Sequence, residues 1–159
     1  ELQKKQELMI AKISKEKLPL TPEEYGKYYK ICDALPFAFT DIEMVFDKEK
    51  KAVDWIFRYG NEALATLEKL PLDKMIGSSF SSLFSNMDSK WLQGYERATL
   101  YGETLEIIDY SPEIDTNLKI ICFPTFPGHC GCILFNADKM RYIKDGNNLV
   151  RWIIVSMKK

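Results

Sequence analysis

Two cysteines and the chain's single histidine stand together in the segment His129-Cys130-Gly131-Cys132, a grouping that could bind a metal or carry out thiol redox chemistry. A zinc site needs about four ligands converging at roughly 2.0 to 2.3 Å. In a strand, Cys130 and Cys132 lie on one face and His129 points to the opposite face. The two cysteine Cβ vectors then run parallel, which disfavours a disulfide. With no second Cys/His pair to complete a site, we predict no metal here and two small cysteines that fill a sheet core.

Catalytic signatures are also missing from the sequence. There is one histidine, no Gly-x-Ser-x-Gly motif and no phosphate-binding glycine loop, so hydrolase and kinase patterns are absent. Carboxylates such as Asp54, Asp109 and Glu113 could pair, but a charge on the outer face of a strand is usually just solvated. We therefore predict no catalytic residues and no enzymatic activity for this segment.

The aromatic content, 13% of residues, is the remaining chemical signal. Apolar walls with a few polar tips are typical of a small-molecule pocket. The alternative is that the same side chains only fill the core. The candidates for a pocket between sheet and helices are Trp55, Phe57, Tyr59, Phe80, Phe84, Trp91, Tyr95 and Cys132.

Length and composition limit the class of protein that carries these residues. The 159 residues are 46% apolar and 28% charged, which is typical of one soluble globular domain, with or without an appendage. A net charge of -1 provides no general attraction for nucleic acid or anionic membranes. Four cysteines, no secretory leader and no apolar run near the roughly 20 residues that span a bilayer predict a cytoplasmic chain. The start at Glu1 suggests a piece of a longer protein.

The pattern of apolar residues predicts helices first, then two strands, several short helices and three more strands. Thr21-Pro22-Glu23-Glu24 combines an N-cap hydroxyl, a proline at the first helical position and a glutamate three residues after the cap, so a helix should begin there. It should run to about Leu35, where Pro36 ends it. The alternation in 53–59 places Val53, Trp55, Phe57 and Tyr59 on one face. The predicted strands are 37–46, 53–59, 104–110, 118–123 and 130–135, and the predicted helices after the first strands are 62–70, 72–76 and 89–101.

This order predicts an α+β fold with one five-stranded antiparallel sheet and short helices on one face. The other face is apolar too, because Ile121 and Phe123 alternate with Ile120 and Cys122. The N-terminal helices, or a second subunit, are therefore expected to flank the sheet and cover that face.

The chain resembles a PAS domain over about residues 37–136. The stretch 53–64 looks like the family's second strand running into its first core helix, with Asn61 at the junction. The stretch 72–80 is similar to the family's Leu-Ile-Gly-x-x-Phe segment, and 109–113 looks like a strand end of bacterial sensors. The resemblance implies a helical segment at 1–36, a PAS-like sensor domain at 37–136 and an extension or linker to an output domain at 137–159.

The resemblance also implies a function. It suggests a regulatory sensor module of a bacterial signal-transduction protein that binds a small ligand or partner and relays the change to an attached output domain. A diguanylate cyclase or a histidine kinase would be such an output. The alternative is a ligand-free dimerisation or scaffolding module. A homodimer is expected in both cases, without nucleic acid and without membrane insertion.

The family's cofactors can be compared with this sequence residue by residue. Haem-sensing members use a histidine on the long central helix, and 89–101 contains none. Flavin photosensors carry Asn-Cys-Arg-Phe in the early helices, whereas here Asn61 is followed by Glu62. No cysteine lies between Cys32 and Cys122 to attach a chromophore. We therefore expect no haem, no flavin and no covalent chromophore.

Overall fold

A computed structural model describes residues 2–4 and 18–141 of the chain. Residues 2–4 are helical. The rest of the first predicted amphipathic helix, and the predicted C-terminal extension beyond Arg141, lie outside the described residues. The division into segments 1–36, 37–136 and 137–159 thus stays a prediction.

Helix α1, Pro22–Tyr28, begins at the predicted cap. The backbone N–H of Glu24 donates to the Thr21 hydroxyl at 3.2 Å, and the Thr21 N–H donates to the Glu24 carboxylate at 3.1 Å. This reciprocal pair is a capping box, so two of the N–H groups that a helix start leaves free are satisfied locally. The prediction of this helix start is confirmed. The predicted end near Leu35 is wrong, because the backbone leaves the α-helical conformation at Tyr29 (φ −100°, ψ 18°) and a short 3₁₀ helix, Lys30–Cys32, follows.

Five strands form one antiparallel sheet with the spatial order β2-β1-β5-β4-β3. All four neighbouring pairs are antiparallel. The first two and the last two strands in this order are also consecutive in the chain, so each of these edge pairs is a hairpin. The predicted α+β fold with a five-stranded antiparallel sheet is confirmed. The strands are β1 Ala38–Phe46, β2 Ala52–Gly60, β3 Leu105–Ser111, β4 Thr116–Pro124 and β5 His129–Asn136.

Four helices between β2 and β3 cover one face of the sheet, which we call the helical face. Asn61 caps α2 by accepting a hydrogen bond from the Leu64 N–H at 3.0 Å, and Gly102 ends α5 in the left-handed conformation at φ 67°. Both helix ends agree with the sequence-based prediction. The helices are α2 Glu62–Glu68, α3 Leu72–Met75, α4 Phe80–Leu83 and α5 Ser89–Tyr101.

A β-bulge at Arg58 changes the face of the sheet to which the last side chains of β2 point. Asp41 of β1 opposes Tyr59, but the next residue, Ile42, opposes Phe57, so Arg58 is an extra residue in β2. One extra residue reverses the alternation of side chains beyond it. The prediction that Tyr59 shares a face with Phe57 is therefore wrong, and Tyr59 lies on the opposite side of the sheet.

A second bulge affects the start of β2. Val45 opposes Asp54 while the next residue, Phe46, opposes Ala52, which leaves Val53 as the extra residue. Val53 is 46% exposed, whereas Ala52 packs against the core. The prediction that Val53 belongs to the buried aromatic face is wrong for the same physical reason.

The opposite face of the sheet, which we call the outer face, is covered by the segment that carries α1. This arrangement confirms that N-terminal helical sequence flanks the sheet, as far as the described residues extend. No helix in the described part of the chain is long and apolar enough to cross a membrane. The buried members of the outer-face cluster are Leu20, Tyr25, Tyr29, Phe39, Tyr59 and Phe126.

Candidate functional site

The predicted site between the sheet and the helices contains a small interior cavity of about 20 Å³. A space of this size holds about one water molecule. Six of the eight predicted pocket residues line it, namely Trp55, Phe57, Phe80, Trp91, Tyr95 and Cys132.

Two predicted pocket residues are not part of the cavity wall. Phe84 follows α4 and packs against Phe80 with ring centroids 4.7 Å apart, so it supports the wall from behind. Tyr59 lies on the outer face because of the bulge at Arg58, and its hydroxyl donates to Asp33 at 2.6 Å. Both side chains therefore contribute to packing, outside the predicted pocket.

The aromatic side of the cavity is built around Trp55. Its ring centroid lies 4.3 Å from that of Phe80 and 5.1 Å from that of Tyr95, the latter in an edge-to-face arrangement. Aromatic pairs at these distances are favourable beyond the area that they bury. Trp55 is 4% exposed. The three rings come from β2, α4 and α5, so one strand and two helices together build this side of the cavity.

Two carboxyl side chains that the pocket prediction did not include, Glu68 and Glu113, line the cavity together with the predicted Trp91. Glu68 ends α2, Trp91 lies on α5, and Glu113 lies in the turn between β3 and β4. Each carries a buried atom with no hydrogen-bond partner: one carboxylate oxygen of Glu68, one of Glu113, and the indole nitrogen of Trp91. Most buried polar atoms in proteins have a partner, so three at one cavity require an explanation.

A signal for Glu68 was present in the sequence. It stands four residues after Leu64, so the two share one side of α2. Both are buried, with Leu64 fully enclosed and Glu68 6% exposed. Burial, and to a smaller extent the charge of Glu113, raise the pKa of the Glu68 carboxyl from 4.5 to about 8. A carboxyl on the buried stripe of a helix is therefore the pattern that could have identified this site.

The cysteines lie as the strand geometry predicts. Cys130 and Cys132 share the helical face with their sulfurs 3.9 Å apart, and Cys122 of β4 opposes Cys132. His129 lies on the outer face. Burial raises the pKa of the Cys132 thiol, so this group stays protonated near neutral pH. No group of three potential metal ligands occurs within residues 2–4 and 18–141.

His129 instead belongs to a hydrogen-bonded cluster beneath α1. Its Nε2 lies 2.6 Å from the Tyr25 hydroxyl, and its Nδ1 lies 2.9 Å from the Pro127 carbonyl oxygen. Close by, the buried Asp41 carboxylate accepts hydrogen bonds from the hydroxyls of Tyr29 and Thr125. The contact between α1 and the outer face thus contains buried titratable groups among aromatic rings.

The carboxylates singled out as candidate catalytic groups lie apart from one another. Asp54 accepts a hydrogen bond from the backbone N–H of Ser81 at 3.2 Å, and Asp109 lies 3.3 Å from the Lys90 ammonium group at the surface. Each has a local structural partner, and neither lines the interior cavity. Only Glu113 of the three contributes to the candidate site.

A larger concavity of about 650 Å³ lies elsewhere, at the end of the sheet. It is formed where the start of β1, helix α2 and the end of β5 come together. Its wall includes Phe37, Leu67, Phe135 and Met140, none of which the sequence indicated as a ligand site.

Comparison with known proteins provides a fold similarity without a family assignment. No protein-family model matches the chain, and no curated protein matches it. A solved structure described as an RNA-binding light-oxygen-voltage receptor is similar at 16% identity and a TM-score of 0.46. The match covers 75% of this chain and 35% of the receptor chain, so the present chain spans about a third of that protein's length.

The interior cavity is small in comparison with known ligand pockets. Pockets for drug-sized ligands have volumes of roughly 300 to 1,000 Å³. The cavity of about 20 Å³ is far smaller, and its walls are close-packed aromatic rings. The expectation that the chain binds no haem, no flavin and no covalent chromophore stays a prediction.

Proposed function

We propose that the chain is a PAS-like sensory module whose interior cavity recognises a small polar ligand. The resemblance over residues 37–136 supports a sensory role. The regulated output would lie in an attached domain of a signal-transduction protein, for which the resemblance suggests a bacterial diguanylate cyclase or histidine kinase. A cytoplasmic location and a homodimer belong to the same proposal.

The observation that carries the ligand proposal is the set of partnerless polar atoms at the cavity. Glu68 and Trp91 are 6% and 2% exposed, so water outside the protein does not satisfy them. A buried polar group without a partner costs about 1–3 kcal/mol. A ligand with hydrogen-bond donors for the carboxyl groups of Glu68 and Glu113, and an acceptor for the indole N–H, would satisfy all three.

Cavity size limits what this ligand can be. A space for about one water admits a ligand of one or two heavy atoms without rearrangement. A larger amine, amide or alcohol would displace Glu68 and the end of α2. Such a displacement is the conformational change that a sensor could pass on, because α2 contacts β1 and the sheet carries α1 on its other face.

The ligand-free scaffolding module remains a second candidate. The observation that favours it is the tight packing of the same interior, where Trp55, Phe80 and Tyr95 are each at most 4% exposed. In that case a single ordered water would satisfy the polar atoms, and the domain would act through its surfaces.

We expect Glu68→Leu to stabilise the ligand-free protein by about 1–3 kcal/mol at pH 7, because the change removes a buried carboxyl without a partner. The native pKa of about 8 exceeds the ordinary value of 4.5, so ionisation at rising pH favours the unfolded chain. The advantage of the variant should therefore grow between pH 4.5 and 8 and then level off. Urea denaturation at several pH values measures it.

The matched control is Glu62→Leu, an exposed position on the same helix, for which we expect a change within about 0.5 kcal/mol. The ligand itself is sought by thermal shift with small amines, amides and alcohols. A compound that raises the melting temperature of the wild type and of Glu62→Leu, but not of Glu68→Leu, supports the sensory site. If no compound makes this distinction, the ligand proposal fails and the scaffolding candidate stands.

A further inference from the structure

Three hydrogen bonds in series connect α1 to the outer face of the sheet. The Leu20 backbone N–H donates to the Tyr25 hydroxyl at 3.2 Å. The Tyr25 hydroxyl lies 2.6 Å from His129 Nε2, and His129 Nδ1 lies 2.9 Å from the Pro127 carbonyl oxygen. Tyr25 and His129 are each 1% exposed, so the middle of the series is buried, whereas Pro127 at its end is an exposed residue. We call these four groups the latch.

The chemistry of the two end groups determines where the protons lie. A carbonyl oxygen only accepts, so the proton on His129 must be on Nδ1, which donates to Pro127. A backbone N–H only donates, so the Tyr25 oxygen accepts from Leu20 and its own O–H is free to donate to Nε2. The latch is complete only with a neutral imidazole of this one tautomer.

We propose that the latch is a proton sensor: protonation of His129 releases α1 from the outer face of the sheet. A second proton, on Nε2, would make this nitrogen a donor, so the Tyr25 oxygen would have to accept from it as well as from the Leu20 N–H. The Tyr25 hydroxyl would have to turn away from its partner, and a cation would be buried among aromatic rings. Docking of α1 and protonation of His129 therefore oppose each other. This inference is independent of the interior cavity, which lies on the other face of the sheet.

The charged groups that act on the imidazole have opposite signs and oppose one another. Glu43, opposite His129 on β1, favours the proton, but its carboxylate is paired with the Arg58 guanidinium of β2 at 2.7 Å. Asp41 of β1 is engaged by the hydroxyls of Tyr29 and Thr125. The titratable and charged groups that face the latch are thus Tyr25 of α1, Tyr29 directly after α1, Asp41 and Glu43 of β1, and Arg58 of β2.

Burial outweighs these charges and lowers the pKa of His129 below its ordinary value of 6.5. Because the native pKa is lowered, the contribution of the latch is fully present above pH 6.5 and is lost as the pH falls through the native pKa. The expected response is detachment of α1 at acid pH with the sheet still folded.

Hydrogen exchange followed by mass spectrometry tests this on the full chain, with His129→Gln as the non-titrating variant. A glutamine oxygen can accept from Tyr25 at the position of Nε2, so α1 should stay docked. From pH 7.5 to pH 5.0, we expect protection of amides 22–32 in the wild type to fall at least about tenfold more than in His129→Gln, after correction for intrinsic rates. Amides of β4, in the same samples, should keep their protection.

A second variant keeps the test decisive if His129→Gln folds poorly. Tyr25→Phe removes the hydroxyl, so amides 22–32 should already be less protected at pH 7.5 and should change less on acidification. The single histidine also makes its imidazole resonance unambiguous in an NMR titration. Equal pH responses of α1 in the wild type and in either variant would overturn the proposal, as would simultaneous loss of protection in β4.

Discussion

Trp55→Ala should lower the free energy of unfolding by about 3–5 kcal/mol, the range for truncating a large buried side chain. Trp55 is 4% exposed and contacts the rings of Phe80 and Tyr95 from two different helices. Its removal leaves a cavity that three elements would have to close together. Urea denaturation monitored by far-UV circular dichroism measures the change without relying on tryptophan fluorescence.

Val53→Ala on the same strand is the matched control for that measurement. An uninterrupted alternation would place Val53 on the same buried face as Trp55, but the bulge leaves it 46% exposed. We expect a loss of less than about 0.5 kcal/mol, as for surface substitutions in general. A loss below about 1 kcal/mol for Trp55→Ala, or a large loss for Val53→Ala, would show that the strand register is different.

Deletion of residues 1–35 should make the protein aggregate or self-associate. The deletion removes Leu20, Tyr25 and Tyr29 and uncovers Phe39 and Phe126 on the outer face. It also leaves the Asp41 carboxylate and His129 without their tyrosine partners. Exposed apolar patches of this kind promote association. Sedimentation velocity of the wild type and the shortened chain at equal concentration measures the result.

Deletion of residues 1–17 alone is the control, because it retains α1 and its cap at Thr21. This shorter deletion should leave the outer face covered. Its sedimentation coefficient should therefore correspond to the same association state as that of the wild type. A chain lacking residues 1–35 that stays soluble, with its association state and thermal stability unchanged, would show that α1 is not needed to cover the sheet.

Features determined by residues close together in sequence were predictable. The start of α1 depends on Thr21 and Glu24, three residues apart, and the start of α2 depends on Asn61 and Leu64. The end of α5 depends on the tolerance of Gly102 for a positive φ. The opposite orientations of His129 and Cys130 follow from the alternation of an undistorted strand. For these elements, local hydrogen bonds and backbone sterics suffice.

The composition of the interior site was predictable only in part. Rings such as Trp55, Phe80 and Trp91 were recognisable as core candidates because apolar residues at strand or helix spacing face inward. Glu68 was not recognised: its spacing from Leu64 places it on the inward stripe of α2, but burial of the carboxyl itself depends on the packing of that helix against the sheet. Glu62, on the same short helix, stays exposed. Two glutamates six residues apart on one helix thus lie in different environments, one exposed and one buried.

The sequence by itself determined the order of strands and helices, the helix caps and the aromatic character of the core. Tertiary structure alone decided the two bulges of β2, since an extra residue is defined only by the register with β1. It also decided the partners of His129, which lies 104 residues from Tyr25 in the chain. Caps and alternation depend on contacts within a few residues, whereas register, burial of a carboxyl and a latch across the sheet depend on packing between distant segments.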